Sequence, residues 1–218
     1  MKRPPLYTVF ELIRFRVWFA WIYRVEVRNP ERIPITGPVL LVANHESLID
    51  PWLLGLATKR PIRYMAKAEL YSYPVLRTIM RWFGTFPVER GTGDRNAVGH
   101  AGGLLLEGQA LGMFPQGTCL PHRHRPWHRG AAKLAMSTGA TIVPVCIVGS
   151  ERALRPAKLK VGLPRIRIIV CEPIPVEPGP PNMARAKDLT ARIEQAIEQA
   201  RAPYGPPAHA WYPEKHPA

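Results

Sequence analysis

The sequence predicts a single α/β domain built on a central, mostly parallel sheet flanked by helices. Three observations point there. Short apolar runs of strand length alternate with helix-length stretches along most of the chain. Hydrophobic residues are 46 % of the 218, too many for a disordered polyelectrolyte and enough for a substantial core. The 25 prolines come with no collagen-like or solenoid repeat. In such a sheet, ligands gather near the C-terminal ends of the strands.

The N-terminal stretch is basic and then apolar, as a signal peptide would be. Arg14 and Arg16 interrupt it, no small-x-small site follows, and the cleanest apolar run, 17–23, is too short to span a bilayer. It is read as no cleaved signal, and whether the helix spans the bilayer or lies on it stays open. On a helix, Phe10, Ile13, Val17 and Trp21 share one face, and Leu12, Phe15, Phe19 and Ile22 another. Two apolar faces need two apolar neighbours. Either the helix packs between protein layers, or one face lies on the domain and the other in a lipid interface, where aromatics and arginines are at home.

Beyond it, residues 38–43 (PVLLVA) form a compact apolar run and predict a buried strand. A helix is expected over 51–58, a strand over 62–66, a helix over 75–83 and a strand over 85–88. A glycine-containing helix follows over 96–107, then a strand over 110–114. The remaining expectations are a helix over 130–137 and strands over 141–148 and 165–170. Asn182 suits the cap of a last helix running to Arg201, with Leu189, Ile193, Ile197 and Ala200 as its apolar stripe. The domain reading is an interfacial helix at 1–28, an α/β domain at 29–202 and a loose, proline-rich tail at 203–218.

Charge narrows the partners. Thirty Lys and Arg against 16 Asp and Glu give +14, which suits a membrane surface, a nucleic acid or a phosphorylated substrate. Recognised nucleic-acid motifs are lacking, and the positive charge recurs beside the motifs below, so nucleic acid is not the expected partner. Three cysteines at 119, 146 and 171 have no framework spacing and fit a reducing compartment.

The sharpest chemistry follows the first apolar strand, in Asn44-His45-Glu46-Ser47-Leu48-Ile49-Asp50. His45 sits where the strand turns into a helix, and Asp50 lies five residues on. Folded back, the carboxylate would fix one imidazole nitrogen and leave the other as a base for a hydroxyl proton. The alternative is that Asn44, Ser47 and Asp50 merely cap the helix. Three histidines within seven residues (122–128) raise zinc, but no cysteine pair accompanies them and cations crowd the region, so an anion-facing loop fits better.

Four blocks in order carry a resemblance. NHESLID (44–50), GTFPVER (84–90), FPQGT (114–118) and VPV (143–145) resemble the motifs of the glycerolipid acyltransferase family, the 1-acyl-glycerol-3-phosphate acyltransferases and related lysophospholipid enzymes. The resemblance covers roughly residues 25–175. It implies a membrane-associated O-acyltransferase with His45 as general base and Asp50 orienting it. The donor would be an acyl thioester, acyl-CoA or acyl carrier protein. The acceptor would be the hydroxyl of a lyso-lipid, with lysophosphatidate first. Backbone N–H groups near the helix start would hold the oxyanion. No metal and no other cofactor is implied.

Arg90 would grip the acceptor phosphate through its guanidinium fork, although an ion pair with Glu89 is the other reading. Gln116, Gly117 and Thr118 would line the same site. Gln116 stands where the family has Glu, and Cys119 where it has Arg. Arg123, Arg125, Arg129 and Lys133 would compensate for the missing cation. Otherwise the acceptor is a lyso-lipid without the usual phosphate, such as an amino- or glycosyl-lipid, or the chain is a lipid-binding relative without turnover. The expected location is the cytoplasmic face of the cell membrane, peripheral or monotopic.

Overall fold

The computed structural model describes residues 15–89, 95–117, 119, 126–153 and 162–205. Helix α1 (Phe15–Ile22) leads into β1 (Glu26–Arg28), and β2 (Val39–Ala43) follows. Helix α2 (Asp50–Leu56), β3 (Ile62–Lys67), α3 (Pro74–Trp82) and β4 (Thr85–Val88) come next. Then come α4 (Arg95–Leu106), β5 (Ala110–Met113), α5 (Gly130–Thr138), β6 (Thr141–Val148), β7 (Arg167–Val170) and α6 (Met183–Arg201). The strands form one sheet in the order β1-β7-β6-β2-β5-β3-β4.

β6, β2, β5, β3 and β4 all run the same way. Their C-terminal ends therefore share one edge of the sheet, where NHESLID follows β2 and FPQGT follows β5, whereas 143–145 lie within β6. β7 runs antiparallel to β6, and β1 parallel to β7. All five residues of β2 are buried, and six of the eight in β6. That continuous burial explains the unbroken apolar runs, since a strand covered on both faces needs no polar alternation.

Two apolar clusters cover the two faces. One joins Leu40, Val42, Leu111, Ile142 and Cys146 to α4, α5 and α6. The other joins Val39, Leu41, Ile62, Tyr64, Val145 and Ile147 to Phe19 of α1 and to Leu53 and Leu54 of α2. At β5 the fit requires glycine. A Cβ on Gly112 would lie 2.4 Å from the Tyr64 ring, whose hydroxyl donates to Pro51 O at 2.8 Å.

Asn182 Oδ1 caps α6 by accepting from Ala184 N (2.8 Å) and Arg185 N (3.1 Å), and Leu189, Ile193 and Ile197 face the core as the stripe predicts. Several expectations are corrected. β1 was absent from the sequence reading, and β7 starts at Arg167, two residues later than expected. Residues 26–28 thus belong to the sheet and not to an N-terminal helix running to 28. The expected loose tail is held at its start. Arg28 Nη1 donates to the Tyr204 hydroxyl at 2.6 Å, and the Arg167 guanidinium lies 4.9 Å from that ring's centre. On α1, Phe19 is buried, but Ile22, expected on its face, is exposed with Val17, Trp18 and Trp21.

Candidate active site

The site begins where β2 ends. Asn44 is buried and clamps the turn to β6. Its Nδ2 donates to Ile147 O at 2.8 Å, and its Oδ1 accepts from Ile147 N at 2.7 Å. An amide side chain thereby takes the place of a strand partner beyond Ala43, where β2 stops and β6 runs on to Val148.

The turn then folds Asp50 back onto it. Asp50 is fully buried, and its Oδ2 accepts from Glu46 N (2.6 Å) and Ser47 N (2.7 Å). The same oxygen lies 2.9 Å from His45 Nδ1. The arrangement that satisfies it places the imidazole proton on Nδ1 and leaves the Nε2 lone pair free. The imidazole stacks on Phe114, with ring centres 4.4 Å apart and planes inclined by 29°. Gln116 Oε1 accepts from His45 N, which ties the end of β5 to the turn after β2. A glutamate oxygen would accept the same hydrogen bond, so the Gln116 departure keeps this contact.

These bonds bear on the expected oxyanion donors. The amides of His45, Glu46 and Ser47 are already engaged, by Gln116 and by Asp50. These three turn amides hold the site's own side chains.

Glu46, not singled out from sequence, is 4 % exposed and forms a buried ion pair with Arg201 at the end of α6. Burial pushes its carboxyl up to about 7, against the opposing pull of Arg201; Glu151 and Asp50 push the same way as burial, and Asn44 opposes.

Of the other expected site residues, Gly117 closes the Phe114 turn, its N donating to Phe114 O at 3.0 Å with φ +69°. His128 N donates to Pro115 O at 3.0 Å, so the following loop returns against this block. Arg129 and Lys133 are exposed at the start of α5. Arg90, Thr118, Arg123 and Arg125 lie outside the described residues. Glu89, beside Arg90, lines a cleft of about 480 Å³ with Phe86, Pro87, Asn96, Ala97 and His100. Among the described residues no cluster of three or more His, Cys, Asp or Glu is placed to hold a metal ion.

Comparison with known proteins decides the family. A family model described as Acyltransferase matches residues 24–148, more than half of the chain. The chain belongs to the acyltransferase family. This acyltransferase is 27 % identical over 178 residues to the 1-acyl-sn-glycerol-3-phosphate acyltransferase of Bacillus subtilis, covering 80 % of this chain and 87 % of that one. It is 30 % identical over 142 residues to the lyso-ornithine lipid O-acyltransferase of Pseudomonas aeruginosa, covering 62 % of this chain and 54 % of that one. The crystal structure of the 1-acyl-sn-glycerophosphate acyltransferase PlsC from Thermotoga maritima superposes with a TM-score of 0.73 at 23 % identity, covering 89 % of this chain and 78 % of that one. The acyltransferase thus shares that single-domain α/β fold.

Proposed function

We propose that the protein transfers a fatty acyl chain from an acyl thioester to the hydroxyl of a lysophospholipid, with 1-acyl-glycerol-3-phosphate the first acceptor and phosphatidate the product. The carrying observation is the His45 Nδ1 to Asp50 Oδ2 contact of 2.9 Å, made by a carboxylate with no exposure at all. His45 Nε2 takes the acceptor's hydroxyl proton as the oxygen attacks the thioester carbonyl. Asp50 stabilises the imidazolium that results. The carbon–sulfur bond then breaks, and the proton leaves with the thiol. No acyl-enzyme is needed, because the acceptor itself supplies the nucleophile. Arg90, with Gly117 and Thr118 near it in the motif order, is assigned to the acceptor phosphate, and Arg123, Arg125, Arg129 and Lys133 to further anionic groups of donor or acceptor. Gln116 is assigned to holding the His45 turn.

The reaction is proposed to run at a membrane surface. Among the described residues no helix is long and apolar enough to cross a membrane. Large apolar side chains are nevertheless exposed on three helices and on the turn after His45. They are Trp18 and Trp21 of α1, Leu48 between His45 and Asp50, Trp52 of α2, and Val75, Ile79 and Trp82 of α3. Ring contacts of Phe19 with Trp52 (6.0 Å) and of Trp52 with Phe83 (5.6 Å) join α1 and α2 to the residue after α3. Arg77 and Arg81 are exposed on α3, and the chain's charge of +14 suits anionic lipid.

Thiol release from a long-chain acyl-CoA tests the proposal, with lysophosphatidate, other lysophospholipids and a non-phosphorylated lyso-lipid as acceptors, each beside His45→Ala. Acceptor-dependent release that needs His45 supports it. Preference for the non-phosphorylated acceptor moves the specificity to the reading that Cys119 suggested. No release with any acceptor, from acyl-CoA or acyl carrier protein, sinks it in favour of a lipid-binding relative.

A further inference from the structure

We propose that Arg201 is a positioning residue for acyl transfer: through Glu46 it fixes the turn whose amides hold Asp50 and, through Asp50, the His45 imidazole. The proposal rests on the reading of His45 as the general base. Arg201 ends α6, 155 residues from Glu46 in sequence, and its hydrogen bonds go to Glu46 and Ile147. Both side chains are 5 % exposed. Arg201 Nη2 donates to Glu46 Oε1 and, at 3.1 Å, to Ile147 O. Asn44 Nδ2 donates to the same two acceptors, at 3.1 and 2.8 Å. Two donors from opposite ends of the chain therefore converge on one carboxylate oxygen and one strand carbonyl.

The backbone of the carboxylate they grip is one bond from the catalytic contact. Glu46 N donates to the Asp50 oxygen that faces His45 Nδ1. A side chain pinned at one end and an amide engaged at the other leave Glu46 little freedom to shift. Because Glu46 sits next to His45 in the chain, any rotation of its peptide unit moves both the Asp50 oxygen and the ring.

Simple stabilisation does not account for the arrangement. A buried ion pair contributes little net stability compared with apolar residues of the same volume. Here it also brings Glu46 close to two further buried carboxyls, Asp50 and Glu151, which push its carboxyl toward the neutral form. Glu46 Oε2, Asp50 Oδ1 and Glu151 Oε2 have no hydrogen-bond partner among the described residues. Glu151 has its own partner in Arg152, at 3.5 Å, which leaves Arg201 as the guanidinium that answers Glu46, and a buried pair of this kind is a costly way to fill a core. As an anchor for a turn that must hold an imidazole to a fraction of an ångström, it is apt.

A double-mutant cycle with steady-state kinetics tests this. Arg201→Met, Arg201→Lys, Glu46→Gln and the Arg201→Met/Glu46→Gln pair are assayed with acyl-CoA and lysophosphatidate, well below the lowest melting temperature of the set. His45→Ala runs alongside. Arg201→Met is expected to lower kcat about 10- to 100-fold with KM for either substrate within about twofold, the signature of a displaced catalytic group. Arg201→Lys recovers part of the loss. The double variant is no slower than the slower single, because both changes act through one contact. If Arg201→Met does not fold, Arg201→Lys takes its place in the cycle. A folded Arg201 variant with unchanged kcat, or losses that multiply in the double variant, overturns the proposal while His45→Ala is inactive. Full turnover in His45→Ala overturns the base assignment and this proposal together.

Discussion

Replacing Asp50 by Asn isolates what the carboxylate does. The substitution preserves volume and a carbonyl oxygen but removes the charge beside His45 Nδ1, 2.9 Å away. In the ground state the imidazole is neutral and little is lost. As the acceptor's proton arrives, the ring becomes cationic. Two unit charges about 4 Å apart attract by about 4 kcal/mol at an effective dielectric near 20. Every 1.36 kcal/mol is about tenfold in rate, so kcat should fall about a thousandfold with KM little changed. The Asn side chain settles with its oxygen toward the N–H groups of Glu46 and Ser47, the same position that faces His45 Nδ1, so the imidazole tautomer is kept and the lost charge is the main change. The assay is thiol release at saturating donor and acceptor, with circular dichroism to show that the variant is folded. A folded Asp50→Asn enzyme within about tenfold of the parent would refute the charge argument, and with it the role given to the buried carboxylate.

Three further outcomes are expected. Gln116→Leu removes the acceptor for His45 N and should lower kcat about tenfold, whereas Gln116→Glu keeps an oxygen there and should stay within about threefold, measured by the same thiol release. Glu46, whose folded carboxyl is raised to about 7 from an ordinary 4.5, binds its proton more tightly in the folded state. Stability should therefore fall as pH rises from about 4.5 to about 7 and level off above, by a total on the order of 3 kcal/mol. Urea unfolding across that range should show the slope in the parent and lose it in Glu46→Gln; an unchanged slope counts against the assignment. Replacing the exposed Trp18, Trp21 and Trp82 together by Ser should weaken sedimentation with anionic vesicles about 100-fold, at about 1 kcal/mol per ring, without altering the melting temperature by more than a few degrees. Equal sedimentation would remove α1 and α3 from the membrane-facing surface.

Much of this architecture is legible in the sequence because burial leaves a mark on it. β2 and β6 are covered on both faces and read as unbroken apolar runs, and the α6 stripe repeats at helical spacing around a capping Asn182. β1 escaped because three residues, Glu26, Val27 and Arg28, are too few to show a period, and only their pairing with β7 makes them a strand. The direction of β7 is likewise set by its partners and not by its own residues. At the site, the five-residue spacing of His45 and Asp50 suggested a contact, and the turn supplied it. The work of Gln116 was hidden, since a substitution in a motif shows what has changed and not what it touches. Arg201 carried no local signal at all. An arginine in the last turn of a helix reads as a dipole complement on the surface. Only the fold, by bringing the end of α6 under the turn after β2, gives it a buried acid.

That last contact has a consequence for how the enzyme comes into being. Ribosomes deliver the His45 segment early and Arg201 late, with 155 residues between Glu46 and its counter-ion. At about 5–20 residues per second, a nascent chain carries the complete imidazole–carboxylate motif for roughly 8–30 s before the guanidinium that steadies it is made. During that interval Glu46 lacks the partner that it has in the folded protein. Under the proposed role of Arg201, the acyl-transferring geometry would be assembled only when α6 docks, so a chain interrupted before that helix would bear the motif without the power to use it.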